Sequence, residues 1–116
     1  MDYLKENNID IDNSLELLGD IDTYNEILEE FLNNINNRLS KLEKYKEDND
    51  MENYSIEVHA LKSDSKYLGF TKLAELALNH QLKSEENDSD FINNNYEELI
   101  NETNKIIEIT KNYLEK

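Results

Sequence analysis

The residues most able to do chemistry lie in one short segment, VHALKSDSKYLGF, at positions 58–70. His59 is one of only two histidines, and Lys62 and Lys66 follow it at helical spacing. A neutral imidazole nitrogen is a nucleophile, and an ammonium group one helical turn away can stabilise an anion attached to it. The segment therefore indicates a site where an anionic group is bonded to, or held beside, His59. An ordinary solvated histidine among surface lysines is the alternative.

Charge sets this segment apart from the rest of the chain. The 116 residues include 12 basic and 27 acidic ones, for a net charge of -15. Between positions 55 and 70, Lys62 and Lys66 balance Glu57 and Asp64, so the remainder carries the whole excess of acid. Such an excess disfavours nucleic acid and anionic membranes as partners, because both are bound through lysine and arginine.

The composition also limits the fold. Proline and cysteine are absent, and the only glycines are Gly19 and Gly69. So few helix breakers favour long helices with short connections. The lack of cysteine excludes disulfides and thiolate metal sites. No apolar run approaches the roughly 18 residues that span a bilayer, and the N-terminus lacks signal-peptide features. We therefore expect a cytoplasmic protein with no membrane partner.

Apolar residues recur every three or four positions, which is the pattern of amphipathic helices. It predicts a short helix over about 12–18 and longer ones over about 22–47, 51–68, 71–84 and 89–115. Thr23 and Glu26 suggest a capping box at the start of the first long helix. Gly69 is expected to end the second long helix, and Thr71 is expected to cap the third. We expect an all-α fold over residues 1–116: a single domain built as an antiparallel up-down-up-down four-helix bundle with a short additional N-terminal helix. We expect it to be a monomer.

Placing residues at about 100° intervals around the helix predicted over 51–68 sets His59 opposite the core. The core-facing arc holds Tyr54, Val58, Leu61, Ser65 and Leu68. The residues nearest His59 are Ser55, Ile56, Lys62, Ser63 and Lys66, whereas Glu57 and Asp64 fall well away from the ring. The imidazole is therefore predicted to face solvent on a small positive surface.

The block HALKSDSKYLG resembles the signature of histidine-containing phosphotransfer (HPt) domains, a histidine followed by x-Leu-Lys-Gly and by a second glycine ten positions after it. His59, Leu61, Lys62 and Gly69 are in register, and Ser63 replaces the usual first glycine. Residues 8–32 and 73–91 resemble the family's first helices and its third helix with the following loop. The resemblance covers nearly the whole chain.

The resemblance implies a phosphorelay intermediate of two-component signal transduction. His59 would accept a phosphoryl group from a receiver-domain phosphoaspartate and pass it to another receiver. Lys62 would offset the phosphoryl charge with Lys66 in a secondary role, and Gln81 would orient the ring. Such a protein is a phosphocarrier with no ATP site, metal or cofactor of its own, and the Mg²⁺ would belong to the receiver. A hybrid sensor histidine kinase is a further expected partner.

Apolar or small residues beside His59 are expected to contact the receiver. This predicted docking surface comprises Ser55, Ile56, Ala60, Ser63, Tyr67 and Gly69. Ile56 and Tyr67 are apolar yet lie off the core-facing arc. Packing of Tyr67 against a neighbouring helix is an equal alternative.

Two other functions are alternatives to phosphotransfer. A non-catalytic helical interaction module would bind a receiver or kinase without carrying phosphate, and a phosphatase-like regulator would need a group that orients water. His80 lies on an inward stripe and is expected to be structural, although it could be a second phosphoacceptor. A di-iron bundle is disfavoured, because it needs Glu-x-x-His motifs that project inward.

Overall fold

The computed structural model describes residues 2–115, which contain six helices and no strand. The helices are α1 (Asp2–Glu6), α2 (Ile11–Leu18), α3 (Ile21–Glu47), α4 (Met51–Leu68), α5 (Thr71–Glu85) and α6 (Ser89–Glu115). The fold is therefore all-helical, as the apolar periodicity predicts. The ends of α2 to α6 lie within one residue of the predicted positions.

The N-terminus holds two short helices where one was expected. The helix α1 has five residues and was not predicted. It is anchored by Leu4, which is fully buried and whose carbonyl accepts a hydrogen bond from the backbone N–H of Ile9. One buried side chain in a single helical turn leaves no periodic pattern in the sequence.

Two predicted helix caps are wrong. The N-cap of α3 is Asp20, whose carboxylate accepts from the backbone N–H of Thr23 at 2.8 Å, so Thr23 lies inside the first turn. This hydrogen bond lowers the pKa of Asp20. The N-cap of α5 is Phe70, which makes no side-chain cap and is buried with its ring edge-on to Phe31, 5.4 Å between centroids. Thr71 is the first helical residue. Tertiary packing positions this helix start in place of a hydroxyl cap.

The four longer helices bury one shared core. α4 packs against α3 and α5, and α6 also packs against α3 and α5. α2 contacts α3 and α4, and α1 contacts α6. The largest fully buried side chains include Tyr24, Leu28, Ile35, Tyr54, Leu61, Leu68, Leu73 and Ile92. No helix within residues 2–115 is long and apolar enough to cross a membrane.

The turn from α4 to α5 joins three elements. Gly69 adopts the left-handed conformation at φ +82°, and its carbonyl accepts from the backbone N–H of Asp10 at 2.9 Å. The Tyr24 hydroxyl donates to the carbonyl of Leu68 at 2.7 Å. These bonds hold the start of α2 and the side of α3 against the end of α4.

Candidate functional site

His59 lies on the outer face of α4. Its side chain is exposed, whereas the five residues of the predicted core-facing arc are all buried: Tyr54, Val58, Leu61, Ser65 and Leu68. The solvent-facing ring predicted from helical geometry is thus confirmed. A rigid 18-residue helix holds the imidazole at the surface.

A second helix fixes the orientation of that ring. Nδ1 of His59 lies 3.0 Å from Oε1 of Gln81 on α5, and Nε2 of Gln81 lies 3.5 Å from a carboxylate oxygen of Glu85. The carboxylate can only accept, so it draws the amide N–H₂ towards itself and leaves the amide oxygen facing His59. Nδ1 must then donate to that oxygen. In the neutral ring, the lone pair consequently lies on Nε2.

The two predicted lysines lie on the side of α4 that faces α5. Lys62 is partly buried and Lys66 is exposed, and both line a groove of about 360 Å³ between α4 and α5. Neither forms an ion pair with any residue between 2 and 115. Their ammonium groups are therefore available to an incoming anion on the face of α4 that carries His59.

Two of the three acids of α4, Glu57 and Asp64, are held by a residue that sequence reasoning missed. Arg38 of α3 is the only arginine in the chain. Its guanidinium lies 3.1 Å from a carboxylate oxygen of Glu57 and 3.6 Å from one of Asp64. It also donates to the backbone carbonyl of Glu57 at 3.3 Å. Burial raises the pKa of Asp64, although the charge of Arg38 opposes the rise. Arg38 thus keeps both carboxylates away from the His59 face.

Exposed apolar side chains flank the histidine on both helices. Ile56 is 62% exposed and Tyr67 is 51% exposed. About half of Tyr67 is thus open to solvent, and its role in docking stays a prediction. Leu78 and Leu82 of α5, 38% and 49% exposed, were not predicted. Their positions could have been found, because both lie off the inward stripe of Leu73, Ala77 and His80.

The small residues predicted at the docking surface differ in how far they are exposed to solvent. Ser55, Ala60 and Ser63 are partly buried and border the His59 face. Gly69 is buried, and a Cβ placed on it would lie 2.7 Å from the backbone oxygen of Asp10. The expectation that Gly69 contacts a partner does not fit this position. Gly69 permits the close approach of α2 to the end of α4.

His80 is a core residue, as expected. It is 1% exposed, its Nδ1 lies 2.8 Å from the Tyr54 hydroxyl, and its Nε2 lies 3.2 Å from the carbonyl of Asn95. The carbonyl can only accept, so Nε2 carries the proton and Nδ1 accepts from Tyr54. Burial lowers the pKa of His80. Between residues 2 and 115, no three side chains of the types that bind metals lie together.

Comparison with known proteins agrees with the resemblance. The sequence model of the Hpt domain family matches residues 26–108, which include α4, α5 and most of α3 and α6. Searches of curated proteins and of solved structures gave no significant match. The matched region contains His59, Lys62 and Gln81. The chain therefore belongs to the Hpt domain family, whose membership implies histidine phosphotransfer in a two-component phosphorelay.

Proposed function

We propose that His59 accepts a phosphoryl group from the phosphoaspartate of one receiver domain and passes it to an aspartate of another. The observation that carries this proposal is the hydrogen bond between His59 Nδ1 and Gln81 Oε1 on an exposed helix face. It leaves Nε2 as the nucleophilic atom of a ring that is already oriented. Orientation of this kind removes much of the entropic cost of an in-line attack.

The transfer balances as a single displacement. As Nε2 attacks phosphorus, the Nε2–P bond forms and the bond between phosphorus and the aspartate oxygen breaks, so the aspartate leaves as a carboxylate. The proton on Nδ1 remains in place. The ring gains positive charge, which the hydrogen bond to Gln81 Oε1 stabilises. Attack by a second receiver's aspartate on phosphorus reverses these bonds.

The negative charge of the phosphoryl oxygens is offset by lysines of this chain and by groups of the receiver. Lys62, one turn after His59, is the nearer of the two free lysines in the helix, and Lys66 acts behind it. We propose that the receiver supplies the Mg²⁺ and the acidic pocket, and that this chain needs no cofactor. Ser63 stands where the family usually has glycine, and its hydroxyl can donate to a phosphoryl oxygen.

We propose that the receiver docks on Ile56 and Tyr67 together with Ser55, Ala60 and Ser63. The support is the exposure of two large apolar side chains on α4, Ile56 about one turn before His59 and Tyr67 about two turns after it. Ile56→Asp should slow transfer from a receiver and leave helix content unchanged. Unchanged transfer would remove Ile56 from the docking surface.

The same proposal includes the arrangement of the helices, the oligomeric state and the cellular location. Short connections between α3, α4, α5 and α6 and their pairwise packing support an antiparallel up-down-up-down bundle. A core closed within one chain supports a monomer. Relay partners of the receiver type support a cytoplasmic location.

A phosphate-transfer assay tests the proposal. The protein is mixed with a phosphorylated receiver, and label on the protein should be labile in acid and stable in base. His59→Gln should abolish the label, and Lys62→Ala should weaken it. A receiver that keeps all its phosphate would favour a non-catalytic interaction module. Loss of the phosphate to water alone would favour a phosphatase-like regulator.

A further inference from the structure

We propose that the groove between α4 and α5 selects the receiver by binding an apolar side chain flanked by a carboxylate. This inference rests on the proposed function and adds a specificity site to it. The groove has a volume of about 360 Å³ and is lined by α4, by the first half of α5 and by the start of α2. Its size falls within the range of sites that enclose ligand groups, roughly 300–1,000 Å³.

The groove continues directly from the nucleophile along the seam of the two helices. His59 and Gln81 meet across the seam at 3.0 Å. One helical turn further along each helix lie Lys62 and Leu78, which line the groove. A receiver that reaches Nε2 of His59 must therefore cover the adjoining end of the groove.

The walls of the groove suit an apolar side chain. Ala74 and Leu78 form the α5 side, and Leu78 is 38% exposed although it is aliphatic. Lys62 and Lys66 line the α4 side, and a lysine's aliphatic stem can cover an apolar group while its ammonium group stays in water. Covering such a surface removes apolar area from water and favours association.

Charged groups on the α4 wall specify what lies beside that side chain. Lys62 and Lys66 both line the groove, and neither forms an ion pair with any residue between 2 and 115. A carboxylate next to the apolar side chain can therefore pair with them. Ser65 also borders the groove, but its hydroxyl is fully buried and does not contact the occupant.

Acidic residues on the other walls of the groove determine how the bound group is oriented. Asp10 at the start of α2 and Glu75 on α5 also line it. A carboxylate of the partner would be repelled there and attracted to the lysines of α4. The occupant is therefore an apolar side chain with its acidic neighbour towards α4. A receiver with a basic neighbour at that position is disfavoured.

A groove-filling variant tests the proposal. Ala74→Leu places an aliphatic side chain in the groove without changing charge, and Asn104→Leu adds the same side chain at an exposed position of α6 outside the groove. The probe is the phosphorylated receiver that transfers fastest to the wild-type chain. Phosphoramidate, a small donor that needs no docking, is used in parallel to label His59.

Ala74→Leu should lower kcat/KM for the receiver about tenfold through KM, the size of effect expected when one interface anchor is lost. Its kcat and its labelling by phosphoramidate should equal those of Asn104→Leu. Equal kcat/KM in the two variants would overturn the groove proposal and leave phosphotransfer intact. An equal fall in labelling by both donors would also overturn it, because the effect would then lie in the chemistry.

Two further results complete the test. If circular dichroism shows that Ala74→Leu is unfolded, Leu78→Ala replaces it, and an unchanged KM in that variant overturns the groove proposal. If the wild-type chain takes phosphate from phosphoramidate and from no receiver, the proposed relay function fails and the groove proposal fails with it.

Discussion

Replacing Gly69 by alanine should loosen the join between α2 and the end of α4. A Cβ at this position would lie 2.7 Å from the backbone oxygen of Asp10 and 2.9 Å from the Ser14 hydroxyl oxygen. Neither the backbone of Asp10 nor the fully buried Ser14 can move freely. The helix end must shift, and this shift weakens the hydrogen bond from the Asp10 N–H to the Gly69 carbonyl.

The size of the effect has two parts. Gly69 has φ +82°, and holding a non-glycine residue in the left-handed region costs about 1–2 kcal/mol. Overpacking against fixed atoms adds about 1–3 kcal/mol. Gly69→Ala should therefore reduce the free energy of unfolding by about 2–5 kcal/mol, a large share of the stability of a small domain.

Gly19→Ala is a control for a positive φ without crowding. Gly19 has φ +97° and ψ −52°, outside the left-handed helical region of Gly69, and a Cβ there meets no atom within 4 Å. Its cost should be the backbone strain alone, about 1–3 kcal/mol. Both variants are measured by urea denaturation at equilibrium, with the free energy of unfolding obtained by linear extrapolation. A loss in Gly69→Ala of only about 1–2 kcal/mol, the strain of the left-handed conformation alone, would refute the argument that close packing against Asp10 requires glycine at position 69.

Three other variants test the site and its support. Gln81→Leu should slow phosphoryl transfer to His59 about 10- to 100-fold by releasing the ring, with the melting temperature retained, and an unchanged rate would refute the orienting role. Arg38→Met should lower the free energy of unfolding by about 1–3 kcal/mol because it leaves Glu57 partly buried and unpaired, and a neutral result in urea denaturation would contradict this. Burial lowers the pKa of His80, so the unfolded chain takes up a proton first as pH falls below about 6.5. The free energy of unfolding should then be highest above that pH and fall below it. This fall should be smaller in His80→Gln. In the control variant His59→Gln, the fall should be as large as in the wild-type chain.

The long helices could be predicted because each buries an apolar stripe at regular spacing. The same geometry predicted that His59 faces solvent, since the position of Leu61 in the core fixes the rotation of α4. The helix α1 could not be predicted in this way, because Leu4 is its only buried residue. Its position depends on contact with α6, which a local pattern does not contain.

The contacts between helices could not be predicted in the same way from the sequence. Arg38 pairs with Glu57 and Asp64 across two helices, and their positions along the chain do not reveal which faces meet. Gln81 was identified as a ring-orienting residue only through the family resemblance. Leu78 lies off the inward stripe of α5, and a single apolar residue off a stripe does not reveal that a groove lies beside it. Pairing between helices depends on their relative register, which is a property of the folded core.

The position of the phosphoryl group on the protein is the most direct test of the central claim. After incubation with a phosphorylated receiver, tandem mass spectrometry should assign the added phosphate to His59. Nitrogen–phosphorus coupling in NMR spectra should place the bond at Nε2, with the proton kept on Nδ1. Phosphate bonded to His80, or to Nδ1 of His59, would contradict the account of an outward ring oriented by Gln81.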